Sequence, residues 1–324
     1  MLNKTITKFF AFVIFAAFVS SCHNKANGGG EAPFFDGAAS NYDKPRITGR
    51  IESAEIKESS GITVSKCQPD VIWTHNDSGD GPFIYAMNLT GKHLGTWQIQ
   101  NAQNFDWEDM ASTKDSFGKC FIYIGDIGNT KDNERGEHKI YRVAEPAVGS
   151  SDSASTSKKA LQTAPAETLT FSYQDSRQDA ETLLVHPQTG DMYILTKQRE
   201  KPSGIYKLPP VFDNPAAAKA AKIWDITVPA VPNGLITGGE ISFDGTRVIL
   251  CDYFAGYEIV LPEGTANFDD IWKQKPSAIE LGDRKQGEAI GYSADGLSIL
   301  ATSEGRNQPI IEVKLRTKPQ KSGQ

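Results

Sequence analysis

Residues 179–210 read DAETLLVHPQTGDMYILTKQREKPSGIYKLPP, and the order of charge, turn and apolar runs in this stretch decides the fold. An acidic residue, Glu181, opens a short apolar run; a turn with Gly190 follows; DMYILTK rises from it, and GIYKLPP supplies a third run. Short apolar runs bounded by Gly and Pro read as strands, and a glycine in the connection is what a tight hairpin needs.

The same unit recurs along the chain. Its acidic openers are Glu58 in ESSGITV, Glu108 in DWEDMAS, Glu240 in GGEISF and Glu288 in QGEAIGY. Turns follow in SFDGTR around Gly245 and SADGLS around Gly296, and second strands in DVIWTHND, CFIYIGD, RVILCDY and SILATSE. Third strands are FIYAMNL, KIYRVAE, YEIVLP and IIEVKL, and outer strands GTWQIQ, ETLTFSY, KIWDITV and SAIELG. Four antiparallel strands repeated in this way predict an all-β, five-bladed β-propeller. The last copy lacks an outer strand, and PRITGRIES at residues 45–53 is the segment that can supply it and close the ring. Six blades is the alternative, with a degenerate blade in the long gap between Glu108 and Glu181. That gap holds PAVGSSDSASTSKKALQTAPA, whose Ser, Ala and Lys composition reads as a surface excursion. FDNPAAAKAAK reads as a loop with one or two short helical turns.

At the start of the chain, Lys4 and Lys8 precede the uncharged run Phe9 to Val19, the layout of a secretory signal. The run is shorter than the roughly 20 residues a membrane-spanning helix needs. It ends in Val19-Ser20-Ser21-Cys22, which resembles the bacterial lipobox and marks Cys22 as the site of lipid attachment. The expected organisation is a signal peptide at 1–21, a lipidated flexible tether at 22–44, a propeller domain at 45–316 and a tail at 317–324. Export with a lipid anchor places the domain on the cell envelope, and His23 in place of Asp after the cysteine points to the outer membrane. Loss of the signal moves the net charge from −6 to about −8. So acidic a chain excludes nucleic acid as a partner; the partners expected are the membrane, through the anchor, and a small anionic ligand or an envelope protein, with the chain a monomer.

In an exported chain Cys67, Cys120 and Cys251 can oxidise. Cys67 and Cys120 hold similar places in two repeats, so a bridge between them and free buried thiols both stand as readings.

First strands of propeller blades line the central channel, so Glu58, Glu108, Glu181, Glu240 and Glu288 are expected to face one another around the axis. At about 6 Å and an effective dielectric near 20, each like-charged pair costs on the order of 3 kcal/mol. A calcium ion relieves such a ring, since it accepts 6 to 8 oxygen ligands in tolerant geometry. Second strands end at the same face, giving a further set: Asp77, Asp126, Lys197, Asp252 and Glu304. Lys197 with Arg199, Arg135, Arg306 and His75 is expected to hold an anion above the ion, phosphate being suited to it. Trp73, Trp107 and Tyr253 lie near the same strand ends, as pocket lining or as packing between blades.

NDSGDGPFIYAMNL, DWEDMA, YIGDIGN, DAETLLVHPQTGDMYILTK, GGEISFDGTRVIL and QGEAI together resemble the bacterial propeller family of phytase-like or esterase-like domains. They are similar, more distantly, to SdiA-regulated propellers and to the calcium-activated nucleotidases. The resemblance implies a calcium-binding propeller and leaves activity open. Two functions follow as expectations. One is an envelope-anchored binding module in which calcium is structural. The other is a calcium-dependent phosphoester hydrolase using metal-activated water, with Glu108 or Asp109 as base and Lys197 and Arg199 on the phosphoryl oxygens. An esterase or lactonase is a lesser variant. No GxSxG stretch or Ser-His-Asp arrangement supports a covalent nucleophile.

Overall fold

The computed structural model describes residues 41–129, 135–198, 201–214, 216–228 and 235–316. Cys22, the signal, most of the tether, the tail and Arg199 therefore lie outside the described residues. Strand β1 (Arg46–Arg50) precedes a first meander of β2 (Ser59–Val64), β3 (Ile72–Asn76), β4 (Phe83–Met87) and β5 (His93–Gln100). The second comprises β6 (Trp107–Lys114), β7 (Cys120–Asp126), β8 (His138–Ala144) and, after an interposed β9 (Leu161–Pro165), β10 (Glu167–Tyr173). The third runs through β11 (Ala180–Val185), β12 (Met192–Thr196), β13 (Ser203–Leu208) and β14 (Ala218–Ile226). The fourth is β15 (Gly238–Ile241), β16 (Arg247–Cys251), β17 (Ala255–Val260) and β18 (Ser277–Glu280). The last has β19 (Ile290–Tyr292), β20 (Ser298–Ala301) and β21 (Pro309–Lys314), and β1 pairs antiparallel with β21 as its outer strand.

The first strands β2, β6, β11, β15 and β19 pack side by side in that order, and β19 returns to β2. Nearly every residue of these strands is buried. Apolar residues fill the seams between successive sheets: Trp73 and Trp97 against Trp107 and Tyr141, Tyr123 and Phe171 against Leu183 and Tyr206, Leu184 and Tyr193 against Leu250 and Tyr257. Ile249 and Cys251 meet Ile290 and Ile311 at the next seam, and Leu300 and Ile310 meet Ile62 and Tyr85 at the last. A ring of sheets with cores between them is an all-β, propeller-type architecture, whose radial packing leaves few open edges. Gly245 and Gly296 hold φ of 71° and 68° in their hairpins, a region costly for any residue with a Cβ.

Two stretches differ from the sequence reading. Residues 218–222 of AAAKAAK begin β14 instead of a helical turn, because β14 bonds antiparallel to β13 and parallel to β10. Two edges of backbone partners outweigh alanine's helical propensity, which tertiary pairing readily overrides. The Ser-rich excursion contains two 3₁₀ turns and β9, which adds to the edge of β5. Conversely Phe268–Lys273 forms a 3₁₀ segment whose start is capped by the Asn267 side chain. Cys67 and Cys120 form a disulfide between the first and second sheets, with Cα atoms 6.1 Å apart, and Cys251 is a free buried thiol.

Candidate metal centre

Asp106 leads into β6, and the β6–β7 register shifts at Glu108, between Trp107 and Asp109; the Asp106 and Glu108 carboxylates both come up against Gly128 while Trp107 enters the seam. Asp77, at the end of the neighbouring β3, joins them. Its N–H is held by the Glu58 carbonyl at 3.1 Å, and one oxygen each of Asp77, Asp106 and Glu108 lies within 4.8 Å of the others. Gly128 presses on this group: a Cβ there would sit 2.1 Å from Glu108 Oε1 and 2.6 Å from Asp106 Oδ2. Glu181 comes from β11 with its Oε1 on the Lys197 ammonium, which itself lies 5.1 Å from the Tyr253 ring centroid. Glu288 and Glu304 meet carboxyl to carboxyl beside them.

The electrostatics follow from crowding acids out of water. Burial pushes Asp77 up to about 7, helped by Asp106, Glu288 and Glu58. Burial also raises Asp106, against the pull of Arg135, and raises Glu108 well above the carboxylate range with help from Glu181 and Asp77. Glu181 and Glu288 are pushed to about 8, by burial first and then, for Glu288, by Glu304. Burial opposes charge on Lys197, but Glu181 and Tyr253 hold it above its ordinary value. Asp106 Oδ2 and Glu181 Oε2 have no hydrogen-bond partner although their residues are only 4% and 8% exposed.

Several expected members are elsewhere or otherwise engaged. Glu240 lies deeper along the axis, where it accepts from Thr63 (2.7 Å), the Tyr292 N–H (2.5 Å) and Lys66 (3.3 Å). The offset is visible in the chain: Glu240 stands five residues before its hairpin glycine, Glu181 and Glu288 nine and eight. Asp109, proposed as a base, is wholly buried and accepts the backbone N–H groups of Met110, Leu183 and Gly239, so it stitches three first strands together. Asp252 closes its own turn by accepting from Phe254 N, Ala255 N and the Tyr257 hydroxyl. Asp126 and Arg135 pair at 2.7 Å, and Arg135 also donates to the Gly128 carbonyl, so this arginine braces the centre from behind. His75 is buried edge-on to Trp107 and bonded to the Asn76 carbonyl; burial lowers it to about 4. Trp73 and Trp107 are core, whereas Tyr253 borders the centre. Glu58 is exposed at the mouth, and Arg306 stands exposed on its loop.

Asp106 and Asp179 escaped the sequence reading. Burial raises Asp179, whose carboxylate accepts the Asn129 N–H. The signal was the D-x-E spacing of Asp106 with Glu108 and Asp179 with Glu181, each ending on the residue at which its strand's register shifts. A cleft of about 930 Å³ lies between the second and third sheets and includes none of these carboxylates.

No protein-family model and no curated protein matches the sequence. Among solved structures, a structural-genomics target assigned to gluconolactonase superposes with a TM-score of 0.43 at 9% identity, over 87% of this chain and 93% of that one. A luciferin-regenerating enzyme superposes with 0.42 at 9% identity, over 82% and 92%. Neither likeness speaks to the chemistry of this centre.

Proposed function

We propose that this chain is an exported lipoprotein, anchored through Cys22, whose five-bladed propeller binds a calcium ion at one end of its axis and presents it to a small anionic ligand. The observation that supports the ion is the pair of orphaned carboxylate oxygens, Asp106 Oδ2 and Glu181 Oε2, buried beside Asp77 and Glu108. A buried acceptor without a donor costs about 1–3 kcal/mol, more when charged, and a cation removes that cost. Asp77, Asp106 and Glu108 are the ligands of this reading, with Glu181, Glu288 and Glu58 around them. An all-oxygen set suits calcium, which tolerates an irregular shell better than magnesium does. Bound there, the ion would supply positive charge to an oxygen ligand. Lys197 is the protein cation held at this centre, through Glu181.

A phosphoester hydrolase is the second reading, favoured by Lys197, which brings an ammonium among the carboxylates through Glu181. A cation beside a metal site is suited to a phosphoryl oxygen. One experiment addresses both readings. The full-length protein in detergent is stripped with chelator and titrated with calcium and magnesium. Melting temperature and hydrolysis of nucleotides, inositol phosphates and simple esters are followed. Calcium at 100 times its Kd should add about 2.7 kcal/mol of stability. Stabilisation without turnover removes the hydrolase and leaves the binding module; absence of any calcium effect removes the metal centre.

A further inference from the structure

Among the described residues ten large apolar side chains are exposed, and six of them crowd one end of the ring. Phe117, Phe243 and Leu297 sit in the turns joining β6 to β7, β15 to β16 and β19 to β20. Leu89 follows Met87, which pairs with the first residue of β3; Val260 pairs with Arg247 at the start of β16; and Val211 follows β13, whose Leu208 pairs with Met192 at the start of β12. Since the carboxylate centre gathers where first strands begin and second strands end, all six lie at the opposite end. Phe117 is 95% exposed at a hairpin tip, a placement that apolar burial within the domain does not explain.

Lysines stand among these tips. Exposed Lys114 and Lys119 flank Phe117, Lys92 stands near Leu89, and Lys314 pairs with Ser298, next to Leu297. Acids share this end: Asp70, Asp244 and Asp295 are exposed, and the aspartates of the Phe117, Phe243 and Leu297 turns close their own turns, Asp115 accepting from Phe117 N and Lys119 N, Asp244 from Thr246 N and Asp295 from Leu297 N. Lysine stems beside an exposed aromatic are the arrangement of a surface that enters lipid headgroups, with ammonium groups level with phosphates.

The chain enters the domain at this same end. Tyr42 bridges to Leu315, whose N–H bonds to the Leu297 carbonyl at 2.8 Å, and Asn41 accepts from Arg316 N at 2.7 Å. Forty residues precede Asn41, with the apolar run and Cys22 among them. We infer that the end of the ring bearing Phe117, Phe243 and Leu297 lies on a phospholipid bilayer surface, so that the carboxylate centre faces away from the membrane. This inference rests on the lipid anchor at Cys22 proposed above, which brings the surface within reach of weakly inserting tips.

The test uses the full-length lipoprotein in phospholipid vesicles, with single cysteines carrying an environment-sensitive fluorophore. Cys67 and Cys120 are bridged, Cys251 is buried and the lipid occupies Cys22, so Phe117→Cys and, at the carboxylate end, Phe254→Cys label selectively, with the unsubstituted protein as the blank for any label at Cys22. Vesicle flotation reports the anchor separately. The expected result is flotation of both proteins, with the probe at 117 blue-shifted and quenched at least threefold more by headgroup-region nitroxide lipid than the probe at 254. Flotation with equal, weak quenching at both positions overturns the docking while keeping the anchor. A blue shift at 117 without lipid quenching shows that protein, either a second copy or the apolar N-terminal run, covers the face, and also overturns it. If the chain does not float, the anchor fails, and quenching at 117 with vesicles added in excess then decides the docking alone. Phe243→Ser together with Leu297→Ser, made in the Phe117→Cys protein, should reduce the lipid quenching of the probe at 117 while leaving the melting temperature within a few degrees.

Discussion

Gly128→Ala tests the metal centre at its tightest point. The backbone at Gly128 is not in the positive-φ region, so alanine is locally acceptable there and the cost falls on the carboxylates in front of it. The added Cβ would meet Glu108 Oε1 at 2.1 Å and Asp106 Oδ2 at 2.6 Å, where ordinary contact begins near 3.4 Å. Those oxygens must therefore retreat by about 1.3 and 0.8 Å. Metal sites tolerate about 0.2 Å in ligand distance, so two of three candidate ligands would be displaced beyond use. Calcium affinity, measured by calorimetry or by terbium luminescence, should fall at least tenfold while far-ultraviolet circular dichroism is unchanged. Gly136→Ala is the control, since nothing lies within 4 Å of a Cβ at that position. Wild-type affinity in a folded Gly128→Ala protein refutes Glu108 and Asp106 as ligands; an equal loss in both variants refutes the steric account.

The metal-free protein should grow less stable as pH rises. Glu181 and Glu288 titrate near 8 when folded against an ordinary 4.5, so their contribution is full below about 4.5 and is lost through pH 8, with a slope on the order of 1 kcal/mol per pH unit per group; saturating calcium should flatten the melting profile. Glu240→Ala should cost about 3–5 kcal/mol in urea unfolding, because it strands Lys66 with a side chain only 3% exposed, and should leave calcium affinity unchanged. Reducing the Cys67–Cys120 bridge, which closes a loop with a sequence separation of 53, should lower stability by about 4 kcal/mol, read as a drop in melting temperature with reductant. Lys197→Met should leave Glu181 free to take a second cation charge, strengthening calcium binding while weakening any anionic ligand; unchanged affinities would place Lys197 outside the site.

The strands were legible because each face of the chain has one period and one environment. DMYILTK and RVILCDY are buried on both sides, and the hairpin glycines Gly190 and Gly245 fix where they turn. PRITGRIES could be assigned to the last sheet because that sheet was one strand short, and β1 does pair there. AAAKAAK was misread because its composition states a helical preference, while its conformation is set by two partner strands distant in sequence. The centre was half legible. Glu108, Glu181 and Glu288 meet as their repeats require, but matching residues by type alone placed Glu240 among them and ignored its distance from the hairpin. Asp252 and Asp126 belong to the set expected to line a ligand site; Asp252 is taken up by its own turn, while Asp126 pairs with Arg135 through Oδ1 and keeps a buried Oδ2 without a hydrogen-bond partner.

Glu108 and Asp109 show why residue type cannot divide structural from functional acids in such a ring. They are neighbours on β6, both buried, and both raised well above the carboxylate range by burial first. The register shift at Glu108 sends them to different surroundings. Asp109 meets three backbone N–H groups from three first strands, which engage both of its oxygens and tie β6, β11 and β15 together. Glu108 meets carboxylates: Glu181, Asp77, Asp106 and Glu288. Replacing Asp109 removes a fastener of the ring, whereas replacing Glu108 removes an acid that can ionise only against its crowded neighbours, so it should raise the stability of the metal-free protein at high pH, where those carboxylates are charged. Stabilisation of the empty fold at high pH by replacing Glu108, with loss of stability on replacing Asp109, would assign Glu108 to the ion proposed above and Asp109 to the scaffold.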